Sequence, residues 1–139
     1  MSSQKIEYIV PPDSKAFCDS IRYAEGVKVG NMLYLAGQVG WNPATGKIVE
    51  GGLREQVRGA FSNMKKVIEH AGGSIDGVVQ LMSFLADKGS DRPLMEDFNV
   101  VVEVQKEFFT TGRPCGTVAR VKQLALPELL VELQAIVAL

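Results

Sequence analysis

Glu132 and Gln134 are the residues most at odds with their surroundings in this chain. They interrupt an otherwise apolar closing run, Leu130-Val-Glu-Leu-Gln-Ala-Ile-Val-Ala-Leu139. One residue lies between them, so on a strand both side chains leave the same face. An ionised carboxylate in a core strand costs roughly several kcal/mol unless it is paired or opens to a cleft. Glu132 is therefore either satisfied structurally or lines a site.

Other chemistry is sparsely advertised. The single His70 has no second histidine or cysteine near it, so no metal site is expected. It also falls in the last turn of a helical pattern, where a cation is favoured. Gly51-Gly52 and Gly72-Gly73 lack the context of a phosphate-binding loop, and no nucleophile elbow is present. Cys18 and Cys115, far apart in the chain, read as two free thiols in a reducing compartment rather than as a disulfide.

Bulk numbers narrow the class further. With 139 residues, 46% hydrophobic and 22% charged, the chain has the profile of one globular domain with a sizeable core. Its 15 basic and 16 acidic residues give a net charge of -1 with no basic block, which argues against nucleic acid as the main partner. The first residues lack the apolar core of a signal peptide, and no run approaches the ~20 apolar residues of a membrane span. A cytoplasmic protein that does not enter the membrane is expected.

The elements that must position Glu132 follow from periodicity. Ile6 to Val10 reads as a first strand stopped by Pro11-Pro12, and Asp13 to Ser20 as loop. Arg22 to Val29 and Met32 to Ala36 form a hairpin about the Gly30-Asn31 turn. Gly37-Gln38 then breaks the apolar run, the mark of a bulge, a packing contact or a close approach. Asn42-Pro-Ala-Thr-Gly46 is a turn by composition. Val57, Ala60, Phe61, Met64, Val67, Ile68 and Ala71 keep the rhythm of one buried helical face, ended by Gly72-Gly73. Val78 to Ala86 is apolar enough for a strand in mid-sheet. A second helix, capped by Asp91 with Pro93 in its first turn, carries Leu94, Phe98, Val101, Val102, Gln105 and Phe108 on one face. Two strands, Thr117 to Leu124 and Leu129 to Leu139, close the chain. The order β-β-β-α-β-α-β-β predicts a single α+β domain over residues 1–139, with two helices on one face of a mixed sheet. Strands so apolar on both sides predict that another subunit covers the second face.

Several of these pieces together resemble the Rid/YjgF family of reactive-intermediate enamine/imine deaminases, formerly the L-PSP endoribonuclease family. They are Gly30-Asn-Met-Leu-Tyr-Leu-Ala-Gly-Gln-Val39, the turn at 42–46, the helix ending in Ala-Gly-Gly73, Arg113-Pro114 and Leu130-Val-Glu-Leu-Gln-Ala-Ile136. The resemblance runs in order over nearly the whole chain. It implies a chorismate-mutase-like fold, a homotrimer with clefts at subunit interfaces, and hydrolysis of small enamines or imines to a keto acid and ammonia without a cofactor.

Carried over position by position, it implies that Glu132 is the catalytic glutamate that positions water. The cleft tyrosine falls on Tyr23, and the glycine of a Ser-Gly-Gln pattern on Gly37, whose serine is Ala36 here. The family asparagine falls on Val102, the arginine that grips a substrate carboxylate on Gly116, and the cysteine on Val118. Cys115 and Arg113 lie close by but out of register. Loss of a charge-assisted pair worth roughly 1.5–3 kcal/mol implies a substrate that is bulkier, less acidic, or held by another cation such as Arg113, Arg120 or Arg22. The small-molecule partner is a metabolite at the subunit interface. A non-catalytic metabolite- or partner-binding trimer is the alternative, and an endoribonuclease the weaker one.

Overall fold

The computed structural model describes residues 3–89 and 91–139. Strand β1 (Ile6–Ile9) is followed by a single 3-10 turn and a short helix, α1 (Lys15–Ile21). Strands β2 (Gly26–Val29) and β3 (Met32–Leu35) then form a hairpin in which Gly30 takes the left-handed φ of 60°. A small hairpin of β4 (Trp41–Asn42) and β5 (Lys47–Ile48) comes before the long helix α2 (Leu53–His70). The chain ends with β6 (Val78–Ala86), α3 (Leu94–Phe108), β7 (Cys115–Val121) and β8 (Val131–Ala138). Six strands make one sheet in the order β1-β2-β3-β8-β6-β7. Only β6 and β7 run parallel, with α3 as their crossover, so the sheet is mixed as expected.

Alternation sorts the two sheet faces. Leu33, Leu35, Leu81, Leu85, Val131, Leu133, Ala135 and Val137 point inward, where Val57, Phe61, Met64 and Ile68 of α2 and Val101 and Val104 of α3 complete the core. Each of these Val, Leu, Ile, Phe and Met side chains withdrawn from water contributes about 1.5–3 kcal/mol. The opposite face carries Tyr8, Val27, Tyr34, Ile136, Gln134, Met82 and Phe84 in register from strand to strand. Neither long helix packs over it, and Ile6, Tyr8 and Tyr34 stand exposed at 55, 70 and 47%. A lone subunit leaves this apolar face in water.

The helices are tied together by charge as well as packing. Arg58 on α2 donates through Nε and Nη2 to both oxygens of Glu107 on α3, at 2.9 and 2.8 Å, and through Nη1 to Glu55 at 2.6 Å. Arg54 bonds Glu103 at 2.6 Å one turn earlier. These pairs are solvent-exposed and set the alignment of the two helices more than their stability.

Four details depart from the sequence reading. Asp13 to Ser20, read as loop, holds the 3-10 turn and most of α1. The strand expected from Arg22 begins only at Gly26, because Arg22 ends α1 in the left-handed region at φ 55°. That conformation costs a non-glycine residue roughly 1–2 kcal/mol and reverses the chain at Tyr23. Asp91 does not cap α3: Pro93 is the N-cap, and it holds Arg92 out of helical geometry. Glu96 and Asp97 supply the negative charge in the first turn instead. Finally, β7 starts at Cys115 and ends at Val121, because its pairing with β6 runs from Gln80 to Ala86. In the sheet β6 lies between it and β8.

Candidate functional site

Glu132 lies on the open face of β8, opposite Phe84 of β6 and half-buried. Just beyond β3 the chain bridges to the same strand: Gln38 N–H donates to the Leu133 carbonyl at 2.7 Å, and Leu133 N–H returns to Gln38 at 2.9 Å. This bridge sets Gly37 directly against the Glu132 side chain. A Cβ built on Gly37 would overlap the carboxylate, with Cδ at 2.7 Å and Cγ at 2.9 Å. The glycine that interrupts the apolar run is therefore a close-approach glycine, and what approaches is the suspicious carboxylate. Desolvation alone pushes the Glu132 carboxyl above the ordinary glutamate value, and no hydrogen bond or ion pair among the described residues offsets it.

Tyr23 joins the same corner. Its N–H caps α1 by donating to the Cys18 carbonyl at 2.9 Å, and its ring meets Phe17 edge to face at 6.0 Å. Burial raises the phenol pKa, with further contributions from the charges of Glu25 and Glu132 and from Cys18. The group therefore stays a proton-bearing hydrogen-bond donor at neutral pH. Phe17, Tyr23, Glu25, Gly37, Trp41 and Leu126 line a hollow of about 490 Å³, a size suited to a small molecule. Glu25 is held in place by Gln38 Nε2, which donates to its carboxylate at 2.9 Å.

Helix α2 fixes both strands that carry this corner. Buried Gln56 donates from Nε2 to the Glu128 carbonyl at 2.9 Å and accepts the Leu130 N–H at 2.8 Å, locking the entry to β8. Two turns on, buried Asn63 donates to the carbonyls of Val39 and Trp41, both at 2.9 Å. Between them the helix touches backbone to backbone. A Cβ on Gly40 would sit 2.6 Å from the Gln56 carbonyl oxygen, and one on Gly59 would sit 2.9 Å from Gly40 Cα. Gly40→Ala should therefore lower stability by about 1–3 kcal/mol, seen as a lower urea midpoint with unchanged slope. Sequence reasoning missed Gln56 and Asn63, although a polar pair two helical turns apart beside an apolar stripe is a visible signal.

The remaining carried-over residues assemble elsewhere. Gly116 and Val118 pair with Leu81 and Ser83 of β6 and face the helices, whereas Ala119, paired with Phe84, shares the face of Glu132. With Val102 and Phe98 of α3 they line a second hollow of about 310 Å³ that carries no charged side chain. One chain thus brings together Tyr23, Gly37 and Glu132, and separately Val102, Gly116 and Val118. A Cβ on Gly116 would collide with the Leu81 carbonyl oxygen, so β7 approaches β6 there at glycine distance. The loop leading into β7 is clamped by Asp76, whose carboxylate accepts the N–H groups of Thr110, Thr111 and Gly112 and the Thr110 hydroxyl. Those bonds, the Thr110 hydroxyl foremost, hold the Asp76 carboxyl well below the usual range.

The three cations that the sequence offers for a substrate carboxylate sort clearly. Arg120 pairs with Asp97 at 2.8 Å and donates to the Arg92 carbonyl at 3.2 Å. Arg22 is exposed, and so is Arg113, in the loop before β7. Cys18 is buried and Cys115 exposed, and both are free thiols. Cys115 Sγ donates to the Val79 carbonyl at 3.2 Å. His70 lies exposed in the last turn of α2, away from the corner. Among the described residues, no group of three or more His, Cys, Asp or Glu could hold a metal ion, and no helix is long and apolar enough to cross a membrane.

The same fold and spacing recur in known proteins. A RutC family protein of Pyrococcus abyssi is 34% identical over 114 residues, 82% of this chain and 84% of that one. A 2-iminobutanoate/2-iminopropanoate deaminase of Dermatophagoides farinae is 34% identical over 117 residues, 84% of this chain and 85% of its own. The crystal structure of RidA from Psychrobacter sp. PAMC 21119 superposes with a TM-score of 0.73 at 32% identity, covering 84% of this chain and 88% of that one. The sequence model of the endoribonuclease L-PSP family matches residues 14–139. Matched from the turn before α1 to its last residue, the chain belongs to that family, the group also known as Rid or YjgF.

Proposed function

We propose that the chain is a cofactor-independent hydrolase of a small enamine or imine metabolite, working as a homotrimer in the cytoplasm. The observation that carries this reading is the Glu132 carboxylate, half-buried, without a partner among the described residues, and set against Gly37 beside the hollow that Tyr23 lines. A desolvated carboxylate without a cation is a good acceptor for a proton of water. Tyr23, kept protonated, can donate to the substrate. An enamine protonated at carbon becomes an iminium. Water adds to its carbon as Glu132 takes the water proton, and that proton passes to nitrogen. The C–N bond then breaks as the new hydroxyl group gives up its proton to the departing nitrogen, so that one iminium ion and one water give one carbonyl compound and one ammonium ion. No electrons are gained or lost, and the positive charge leaves on nitrogen. The deaminase names of several relatives support the same reaction class.

The trimer is supported by the uncovered apolar sheet face and by the division of the family's cleft positions between two places on one chain. In this reading one subunit supplies Tyr23, Gly37 and Glu132, and its neighbour supplies Val102, Gly116 and Val118. Two free thiols fit the reducing cytoplasm. The test is direct. Purified protein is mixed with 2-aminoacrylate generated in situ, and with an uncharged aromatic enamine, while ammonia release is followed. Acceleration over buffer that Glu132→Ala abolishes is expected. No acceleration with either compound, or a rate unchanged in the variant, would sink the hydrolase reading in favour of a trimer that only binds its metabolite.

A further inference from the structure

The hollow beside Glu132 has walls of unusual character for a site in search of an amino-acid derivative. Three aromatic rings, Phe17, Tyr23 and Trp41, share it with the carboxylates of Asp13 and Glu25, and Glu132 lies behind Gly37. Among the described residues no Lys or Arg lines it. Lys66 lines a narrower crevice of about 30 Å³ that also touches Trp41, Asp13 and Glu25, and Arg22 lines a separate hollow on the other side of Tyr23. The second hollow, which the proposed trimer would bring alongside, contributes only neutral side chains. It cannot gain a cation simply by substitution at Gly116, because any side chain there meets the Leu81 carbonyl. An anionic ligand in this hollow would thus meet the carboxylates of Asp13 and Glu25, with Glu132 behind Gly37, and no guanidinium or ammonium among the described residues of its lining.

We propose that the site selects a positively charged ligand without a carboxylate: the iminium form of an aldehyde or ketone imine derived from a simple amine. Aromatic faces attract such cations through their quadrupoles, most strongly where water is excluded. Asp13 and Glu25 in the lining add Coulomb attraction, and like charge repels a carboxylate-bearing competitor. The reaction keeps the balance given above. Protonated benzaldimine and one water give benzaldehyde and ammonium, with Glu132 accepting the water proton and nitrogen receiving it before the C–N bond breaks. This inference rests on the hydrolase reading for its chemistry, while the charge preference stands on the walls alone.

The test therefore has two arms. In the binding arm, calorimetry compares benzylammonium with benzoate, two ligands of similar shape and opposite charge. Benzylammonium is expected to bind at least about tenfold tighter, and Asp13→Asn and Trp41→Leu each to weaken it roughly 3–30-fold while the variants stay folded by circular dichroism. Benzoate binding as tightly or tighter, or neither ligand binding, overturns the charge preference. In the turnover arm, benzaldimine formed in situ from benzaldehyde and ammonia is compared with 2-iminopropanoate, its hydrolysis followed against the uncatalysed rate. Faster turnover of 2-iminopropanoate overturns the inference and leaves the hydrolase reading standing. Preferential binding of benzylammonium with turnover of neither compound retires the hydrolase reading and keeps the charge preference.

Discussion

Glu132→Gln is expected to lower turnover by about 10²–10⁴-fold, the span associated with loss of a positioned general base. The same change should raise rather than lower thermal stability at neutral pH. Burial pushes the folded-state carboxyl above its unfolded value. The native state therefore holds a proton that the unfolded chain has already released, and stability falls as pH rises from the unfolded pKa to the raised one. Above that window the penalty is constant. Glutamine removes it, so the melting temperature of the variant should exceed that of the parent at pH 7 and match it below about pH 4. A purely structural Glu132 would behave the other way, losing stability when its charge is removed. Turnover of the parent should also rise with pH along a limb that lies above the ordinary glutamate range, because only the ionised form can accept the proton. A limb at the ordinary value, or a variant that is both less stable and fully active, would show that the carboxylate serves packing alone.

That Glu132 stands out in the sequence while its neighbour in space does not has a physical reason. A polar residue in an apolar strand violates a local pattern, so it is visible one dimension at a time. Gly37 is visible only as an interruption. What fills the space left by its missing side chain depends on the Gln38–Leu133 bridge, formed by segments far apart in the chain. The long helix is legible to its ends because apolar period, glycine stop and basic last turn agree. The short α1 is not, since seven residues cannot show a helical period, and burial of Cys18 rather than propensity decides the outcome. Asp91 fails as a cap because proline geometry at residue 93 overrides a plausible side chain two positions earlier. The Asp76 clamp lies beyond reach for the same reason as the contact of Gly37: its partners, Thr110 to Gly112, are distant in the chain.

The family positions follow one another along the chain, yet the sequence hides how they divide in space. Gly116 and Val118 alternate with Cys115, Thr117 and Ala119, and which set faces the helices depends on the register of β7 against β6. A shift of one residue would exchange the two faces. The parallel register places Gly116 beside Leu81, on the helix side, and so puts it and Glu132 on opposite faces of the sheet within one chain. In the proposed trimer, a cleft that uses both would be built from two chains. This joins two features of the fold, since the apolar sheet face that a lone subunit exposes is also the face that carries Glu132.

Gly37→Ala tests the close approach itself. Gly37 is not among the positions with left-handed φ, so alanine brings no backbone strain, and the three nearest atoms its Cβ would meet all belong to the Glu132 side chain. The atoms that must yield are the carboxylate and the carbons next to it, at the far end of a flexible chain. Rotation can relieve the overlap, so stability should change by less than about 1 kcal/mol, within the range tolerated when a site repacks. Catalysis should not survive so easily, because moving a reacting group by about 1 Å can cost on the order of 10²-fold. Turnover is therefore expected to drop by that order while the urea midpoint stays near that of the parent. The decisive measurement is the double variant. If Gly37→Ala acts by displacing Glu132, then adding it to Glu132→Gln should cause little further loss, giving strong non-additivity in the cycle. Losses that simply multiply would mean that Gly37 shapes the hollow independently of the carboxylate, and the coupling read from the close approach would be wrong.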